Sequence, residues 1–123
     1  MSTPRTGQPA PDFDLPATGD QSLRLSDLRG RNVVLYFYPK DNTPGCTTEG
    51  QDFRDRLDAF KAANAVVIGV SRDGVKSHEN FRRKHDLGFD LASDTDEQAC
   101  LAYDVIREKN MYGRRVRGIE RST

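Results

Sequence analysis

Asn32-Val33-Val34-Leu35-Tyr36-Phe37-Tyr38-Pro39-Lys40-Asp41-Asn42-Thr43-Pro44-Gly45-Cys46-Thr47-Thr48-Glu49 is the stretch whose reading decides the fold. Residues 32–38 form a continuous apolar run, which reads as a central strand buried on both faces. A short turn follows, and the turn feeds a helix. Thr43 suits the N-cap, where its hydroxyl would accept from a free backbone N–H of the first turn. Pro44 suits the first helical position, because the N–H it lacks would be unpaired there anyway; it also keeps Thr43 out of the helical region. Cys46 then falls at the third helical position, beside unpaired N–H groups and the positive end of the helix dipole. Both favour thiolate over thiol. Phe37 and Tyr38, just upstream, would wall the sulfur from bulk water. A free cysteine is often only a small buried hydrophobe. A Gly-flanked helix start beside Asp41, Asn42 and Thr43 reads instead as a reactive one, open to a small oxidant.

The rest of the chain supplies the frame around that turn. Residues 1–12 are rich in Pro and Gly and run over the surface. Phe13, Leu15, Leu23 and Leu25 alternate with polar neighbours around Thr18-Gly19-Asp20, the pattern of a small hairpin. Residues 26–30 read as one helical turn closed by glycine. Phe53, Leu57 and Phe60 form one apolar stripe on the helix after Cys46. Residues 65–71 are a second buried strand. Residues 75–85 are a charged helix with little more than Val75 and Phe81 to bury, and residues 89–93 a short strand. Ser93 and Asp96 stand in capping-box spacing before a helix carrying Ala99, Leu101, Ala102 and Val105. Residues 111–117 read as a strand, and 118–123 begin another. Strands alternating with helices imply an α/β layered domain. The reactive turn lies at the carboxyl end of a strand, where open α/β sheets place their sites.

Composition narrows the function. The chain has 123 residues, which suits a single domain, residues 1–123. Nineteen acidic and nineteen basic side chains cancel, so nothing points to nucleic acid or an anionic membrane. The first residues lack the apolar core of a signal peptide, and no run is long enough to span a membrane. Two cysteines are too few for a disulfide framework or a four-ligand zinc site. Their scarcity fits a reducing, cytoplasmic setting.

Pro39-x-x-x-Thr43-x-x-Cys46, inside the fuller run from Tyr36 to Glu49, resembles the signature of the peroxiredoxins, most closely their bacterioferritin-comigratory (Q-type) subfamily. Asn110-Met111-Tyr112-Gly113 and Gly118-Ile119-Glu120-Arg121-Ser122-Thr123 resemble its later segments, so the likeness covers nearly the whole chain. The resemblance implies a thioredoxin-like fold, a central mixed sheet flanked by helices. It implies a thiol peroxidase that reduces hydrogen peroxide or organic hydroperoxides, with no metal or organic cofactor. Cys46 would be the peroxidatic cysteine, whose thiolate becomes a sulfenic acid. Arg121 would be the cation that holds thiolate and peroxide, and Thr43 would supply a hydroxyl donor. Glu49 would orient the guanidinium. Pro39 would shield the pocket. The same residues have plainer readings: Thr43 a simple cap, Glu49 a first-turn acid, Arg121 a solvated strand residue. Lys40 and Asp41 read as surface turn residues. His78 and His85 read as exposed and unrelated to the chemistry.

Two departures from the family pattern stand out. Gln51 occupies the position five residues after Cys46 where many relatives carry a resolving cysteine, and Arg82 and Arg83 stand near the other usual position. Cys100 is the only other thiol; its small apolar neighbours read as packing, and a resolving role would require helices to rearrange. A one-cysteine cycle is therefore favoured, with a small thiol or a thioredoxin- or glutaredoxin-type partner as reductant. Gly50 either eases local unwinding of the helix or permits close packing. The second departure is that family members continue beyond the Arg121 strand with a further strand and a C-terminal helix, so the fold is expected to lack those pieces. Many relatives are monomers, and no long exposed apolar stripe argues otherwise. Two other functions stay open: a peroxide sensor or holdase that passes oxidation to a partner, and a thioredoxin-like disulfide oxidoreductase. The latter would want C-x-x-C, and Glu49 sits at that second position.

Overall fold

The apolar alternation on either side of Thr18-Gly19-Asp20 does become a hairpin in the computed structural model, which describes residues 4–111 and 113–123. Residues 1–3, and Tyr112 of the second family-like segment, lie outside that description. Strand β1 (Asp14–Ala17) runs antiparallel to β2 (Gln21–Arg24), with Leu15 opposite Leu23. A single 3-10 turn, Leu25–Leu28, leads to Gly30, whose φ of 90° favours glycine. The chain then enters β3 (Asn32–Phe37), α1 (Pro44–Asp55), α2 (Leu57–Ala62), β4 (Ala65–Ser71), α3 (Val75–His85), β5 (Asp90–Ser93) and α4 (Gln98–Ala102). A second hairpin, β6 (Ile106–Met111) and β7 (Arg114–Ile119), closes the sequence of elements.

Five strands make one mixed sheet in the order β2-β1-β5-β4-β3. β3, β4 and β5 are parallel, each crossover carrying helix, and β1 joins β5 antiparallel. Strand alternation sends side chains to two separate cores. One face collects Phe13, Leu15, Phe37, Ile68, Val70, Ala92, Cys100 and Ile119. The other collects Tyr36, Tyr38, Cys46, Val67, Phe81, Leu87, Phe89 and Leu91, with Phe53, Leu57 and Phe60 packed against it. None of the helices among the described residues is long and apolar enough to cross a membrane.

The structure corrects several expectations. The run 32–38 is not buried on both faces throughout: among the described residues β3 ends the five-strand order, met beyond it only by Ser122 at Phe37, and Val33, Val34 and Leu35 are only half-buried. The apolar stripe after Cys46 is carried by two helices, because the backbone leaves helical geometry at Arg56 (φ −108°, ψ 10°). Ser93 and Asp96 do not cap the next helix. Asp94 does, its carboxylate accepting the N–H of Ala99 at 3.2 Å and of Cys100 at 2.7 Å. Leu101 on that helix is exposed. The expected strand over 111–117 straddles a hairpin turn, where Gly113 has φ 78°. Residues 118–119 finish β7 rather than beginning a new strand.

Gly69 shows how tightly the second core is filled. A Cβ on it would stand 2.8 Å from Leu91 Cδ2 and equally close to Tyr36 Cζ and Oη. Both neighbours are fully buried. Gly69→Ala is expected to cost about 1–3 kcal/mol through this overpacking. Urea unfolding checks it; an unchanged midpoint would mean that Tyr36 does not pack as described.

Candidate active site

Cys46 sits one turn into α1, with Thr43 in extended N-cap geometry (φ −83°, ψ 151°) and Pro44 at the helix start. The first helical bond runs from Thr47 N–H to the Thr43 carbonyl at 2.9 Å. The N–H groups of Gly45 and Cys46 therefore have no acceptor within the helix. The Thr43 hydroxyl does not cap: it donates to the Lys40 carbonyl at 2.9 Å and closes the turn instead. Cys46 is not the open thiol expected. It is 2% exposed and packs in the core with Tyr36 and Tyr38. Phe37, expected to wall it, points to the opposite core. Half-buried Pro39 lies in the loop between β3 and this turn.

What Cys46 meets is Arg121. Guanidinium Nη2 donates to Cys46 Sγ at 3.2 Å, and Nη1 donates to Glu49 Oε1 at 2.5 Å. Glu49 is one turn beyond Cys46, so one helix face presents both groups to one cation. Burial works against the charge on Arg121, but the bonds to Cys46 and Glu49 outweigh it and hold the guanidinium above its ordinary value. Burial lifts the Glu49 carboxyl above its ordinary value, against the pull of Arg121. The placement of Arg121 depends on its neighbours in the chain. Phe37 N–H donates to the Ser122 carbonyl at 2.7 Å, and Ser122 N–H returns a bond to Phe37 at 3.1 Å. Gly45 is a site residue that the sequence reading missed: a Cβ there would lie 3.2 Å from Arg121 Nη2. Its only signal was a glycine beside the cysteine. Outside this pair a cleft of about 410 Å³ is lined by Glu49, Phe53, Arg56, Phe60 and Arg121. A larger cavity of about 670 Å³ lies on the other face, along Val33, Leu35, Tyr103 and Val105, away from Cys46.

Two other expectations fail. Lys40 is exposed, but Asp41 is buried, and His78 is fully buried against it, with Nδ1 2.7 Å from Oδ2. His85 is half-buried, with Nδ1 3.4 Å from Gln51 Nε2. Asp41, Asp73 and His78 bring ligand-type atoms within 4.8 Å of one another, but hydrogen-bond donors from the protein already occupy their inward oxygens. Cys100 is fully buried in the opposite core, and burial, then the Asp94 carboxylate, push its thiol well above the ordinary value. The sheet itself stands between Cys46 and Cys100. Gly50 resolves toward close packing, since a Cβ there would meet Leu87 Cδ2 at 3.3 Å.

The raised Glu49 carboxyl gives a signed prediction. The native state keeps this proton to a higher pH than the unfolded chain, so stability is lost as pH rises from the ordinary value of 4.5 through the folded one. Glu49→Gln removes that slope. In urea unfolding from pH 4 to 7, the variant's midpoint is expected to move upward relative to wild type as pH rises; a constant difference would contradict it.

Comparison with known proteins places the chain in a family. A sequence model described as the AhpC/TSA family matches residues 6–122. Peroxiredoxin Bcp of Xanthomonas campestris is 56% identical over 117 residues, covering 94% of this chain and 73% of the relative. Peroxiredoxin Bcp of Bacillus subtilis is 48% identical over 117 residues, covering 95% and 74%. A solved structure of the Xanthomonas campestris bacterioferritin comigratory protein, described for its alkyl peroxide reduction activity, superposes with a TM-score of 0.84 at 53% identity, covering 89% of this chain and 69% of that one. By matched length, identity and superposition, the chain belongs to the AhpC/TSA family as a peroxiredoxin of the bacterioferritin-comigratory (Q) type.

Proposed function

We propose that this chain reduces hydroperoxides with Cys46 as the attacking sulfur and an external thiol as the electron source. Bcp-type peroxiredoxins are thiol peroxidases, and the observation that carries the reading to particular atoms is the 3.2 Å contact of Arg121 Nη2 with Cys46 Sγ at the start of α1. The guanidinium and the free N–H groups of the first turn are placed to meet negative charge on the sulfur. The sulfur attacks one peroxide oxygen and the O–O bond breaks. The attacked oxygen stays on sulfur as a sulfenic acid, and the other leaves as hydroxide or alkoxide and takes a proton. Arg121 lies where that departing charge develops, and Glu49 holds it there. Thr43 and Pro39 shape the loop, the Thr43 hydroxyl by tying the turn to Lys40. The adjoining cleft beside Phe53 and Phe60 gives an organic hydroperoxide room for its apolar part. Because Cys46 is 2% exposed, only a small oxidant reaches it in the folded state; the larger reductant needs the helix start to open.

The sulfenic acid is then resolved from outside. A small thiol, or a thioredoxin- or glutaredoxin-type protein, attacks the sulfur and releases water, and a second thiol frees Cys46 from the mixed disulfide. Cys100 does not serve, because it lies across the sheet and its thiol is held protonated. The chain works as a cytoplasmic monomer in this reading.

Stopped-flow peroxide reduction tests it. Cys46→Ser is expected to abolish turnover, whereas Cys100→Ser keeps most of it when a thiol is supplied. After one equivalent of peroxide, thiol titration should find Cys100 still free; a fast intramolecular disulfide would defeat the one-cysteine cycle. Stoichiometric oxidation without turnover would favour a sensor.

A further inference from the structure

A buried polar cluster stands behind the reactive turn, and the steps above make no use of it. His78, on α3, is 0% exposed. Its Nε2 lies 3.0 Å from the Ala92 carbonyl oxygen and its Nδ1 2.7 Å from Asp41 Oδ2. A carbonyl oxygen only accepts, so Nε2 carries a proton. Asp41 Oδ2 also accepts the Ser77 hydroxyl at 2.8 Å, and Oδ1 accepts the Tyr38 hydroxyl at 2.5 Å. Burial, and then the Asp41 carboxylate, keep Tyr38 protonated and donating. Donors converge on both Asp41 oxygens, and Nδ1, 2.7 Å from Oδ2 and 3.3 Å from the Tyr38 hydroxyl, stands where a donated proton would complete the set. The other ionisable group at the ring, Asp73, is taken up by Asp41 N–H at 2.8 Å and the Ser71 hydroxyl at 2.7 Å.

We propose that His78 is a positioning residue for Cys46: donating from both ring nitrogens, it ties Asp41, and with it the loop before α1, to β5. The consequence for rate rests on the peroxidase reading above. The chain from Asp41 to Cys46 has little slack. Asn42 takes a left-handed φ of 62°, Thr43 is tied to Lys40, and Pro44 has its φ locked. Movement of Asp41 therefore carries into the helix start, where Sγ must stay against Arg121. A displacement of about 1 Å at a reacting atom costs on the order of 100-fold in rate.

Two measurements test the proposal. In wild type at pH 7, long-range 1H–15N NMR should show both ring nitrogens of His78 protonated; Asp41→Asn, whose amide can itself donate to Nδ1, should return a singly protonated ring. Stopped-flow oxidation of Cys46 should slow on the order of 100-fold in His78→Phe. In Asp41→Asn, where the loop keeps a partner, the loss should be under about tenfold. An unprotonated His78 nitrogen in wild type overturns the proposal, as does a folded His78→Phe that is oxidised at the wild-type rate. Should His78→Phe not fold, the wild-type spectrum and Asp41→Asn decide. Wild type inert to peroxide would defeat the peroxidase reading alone, since the ring protonation is read independently of turnover.

Discussion

Everything at the site depends on the pair of backbone hydrogen bonds between Phe37 and Ser122. Phe37 is the last residue of β3, and the reactive turn begins just after it. Ser122 immediately follows Arg121. One antiparallel bridge therefore holds two segments far apart in sequence in fixed register, with Cys46 hanging from one and the guanidinium from the other. Side-chain attraction alone would not do this. A half-exposed arginine gains little from a distant partner and loses rotamer freedom in reaching it. The backbone bridge settles most of that entropy before the side chain is placed, and the missing Cβ at Gly45 clears the approach.

The two cores give the sheet a division of labour. One face holds the helices that carry and support the reactive thiol; the other is packed with aliphatic side chains, Cys100 and the second hairpin's Ile119. On the reactive face polar groups are bonded to one another instead of to water, as with Asp41, Tyr38, Ser77 and His78. Such groups are costly when left unpaired and directional when paired, which suits a loop that must hold one conformation. Among the described residues, Tyr36 Oη and Arg72 Nε depart from this. The Tyr36 hydroxyl is buried without a partner beside Gly50 and Gly69.

Much of this was legible in the sequence, for identifiable reasons. The strand–turn–helix reading of residues 32–49 survives because it rests on local chemistry: an apolar run, a proline at the helix start and a cap position. The Arg121–Cys46–Glu49 contact was available only through family likeness, since nothing local distinguishes Arg121 from the other arginines. Strand order was not legible. Apolar runs report burial, and Tyr36, Phe37 and Tyr38 are buried, yet the position of β3 at the end of the five-strand order depends on which strands pair across the sheet. His78 and Asp41 were read as surface groups because charged neighbours surround them in sequence. Their burial follows from α3 lying over β5, a contact that periodicity does not encode. The cap of α4 was misplaced because a left-handed Glu97 (φ 60°) delays the helix and hands the role to Asp94.

The separation of the two cysteines by a full layer of sheet has a kinetic meaning. On the one-cysteine cycle proposed above, the oxidised protein has no internal route back, so how long it stays in that state is set by the surrounding solution and not by the fold. Where reducing equivalents run low, the waiting sulfur meets a second oxidant molecule and climbs to the sulfinic level, which ordinary thiols do not reverse. The same wall stands between Cys100 and that fate, so of the two cysteines Cys46 is the one exposed to it.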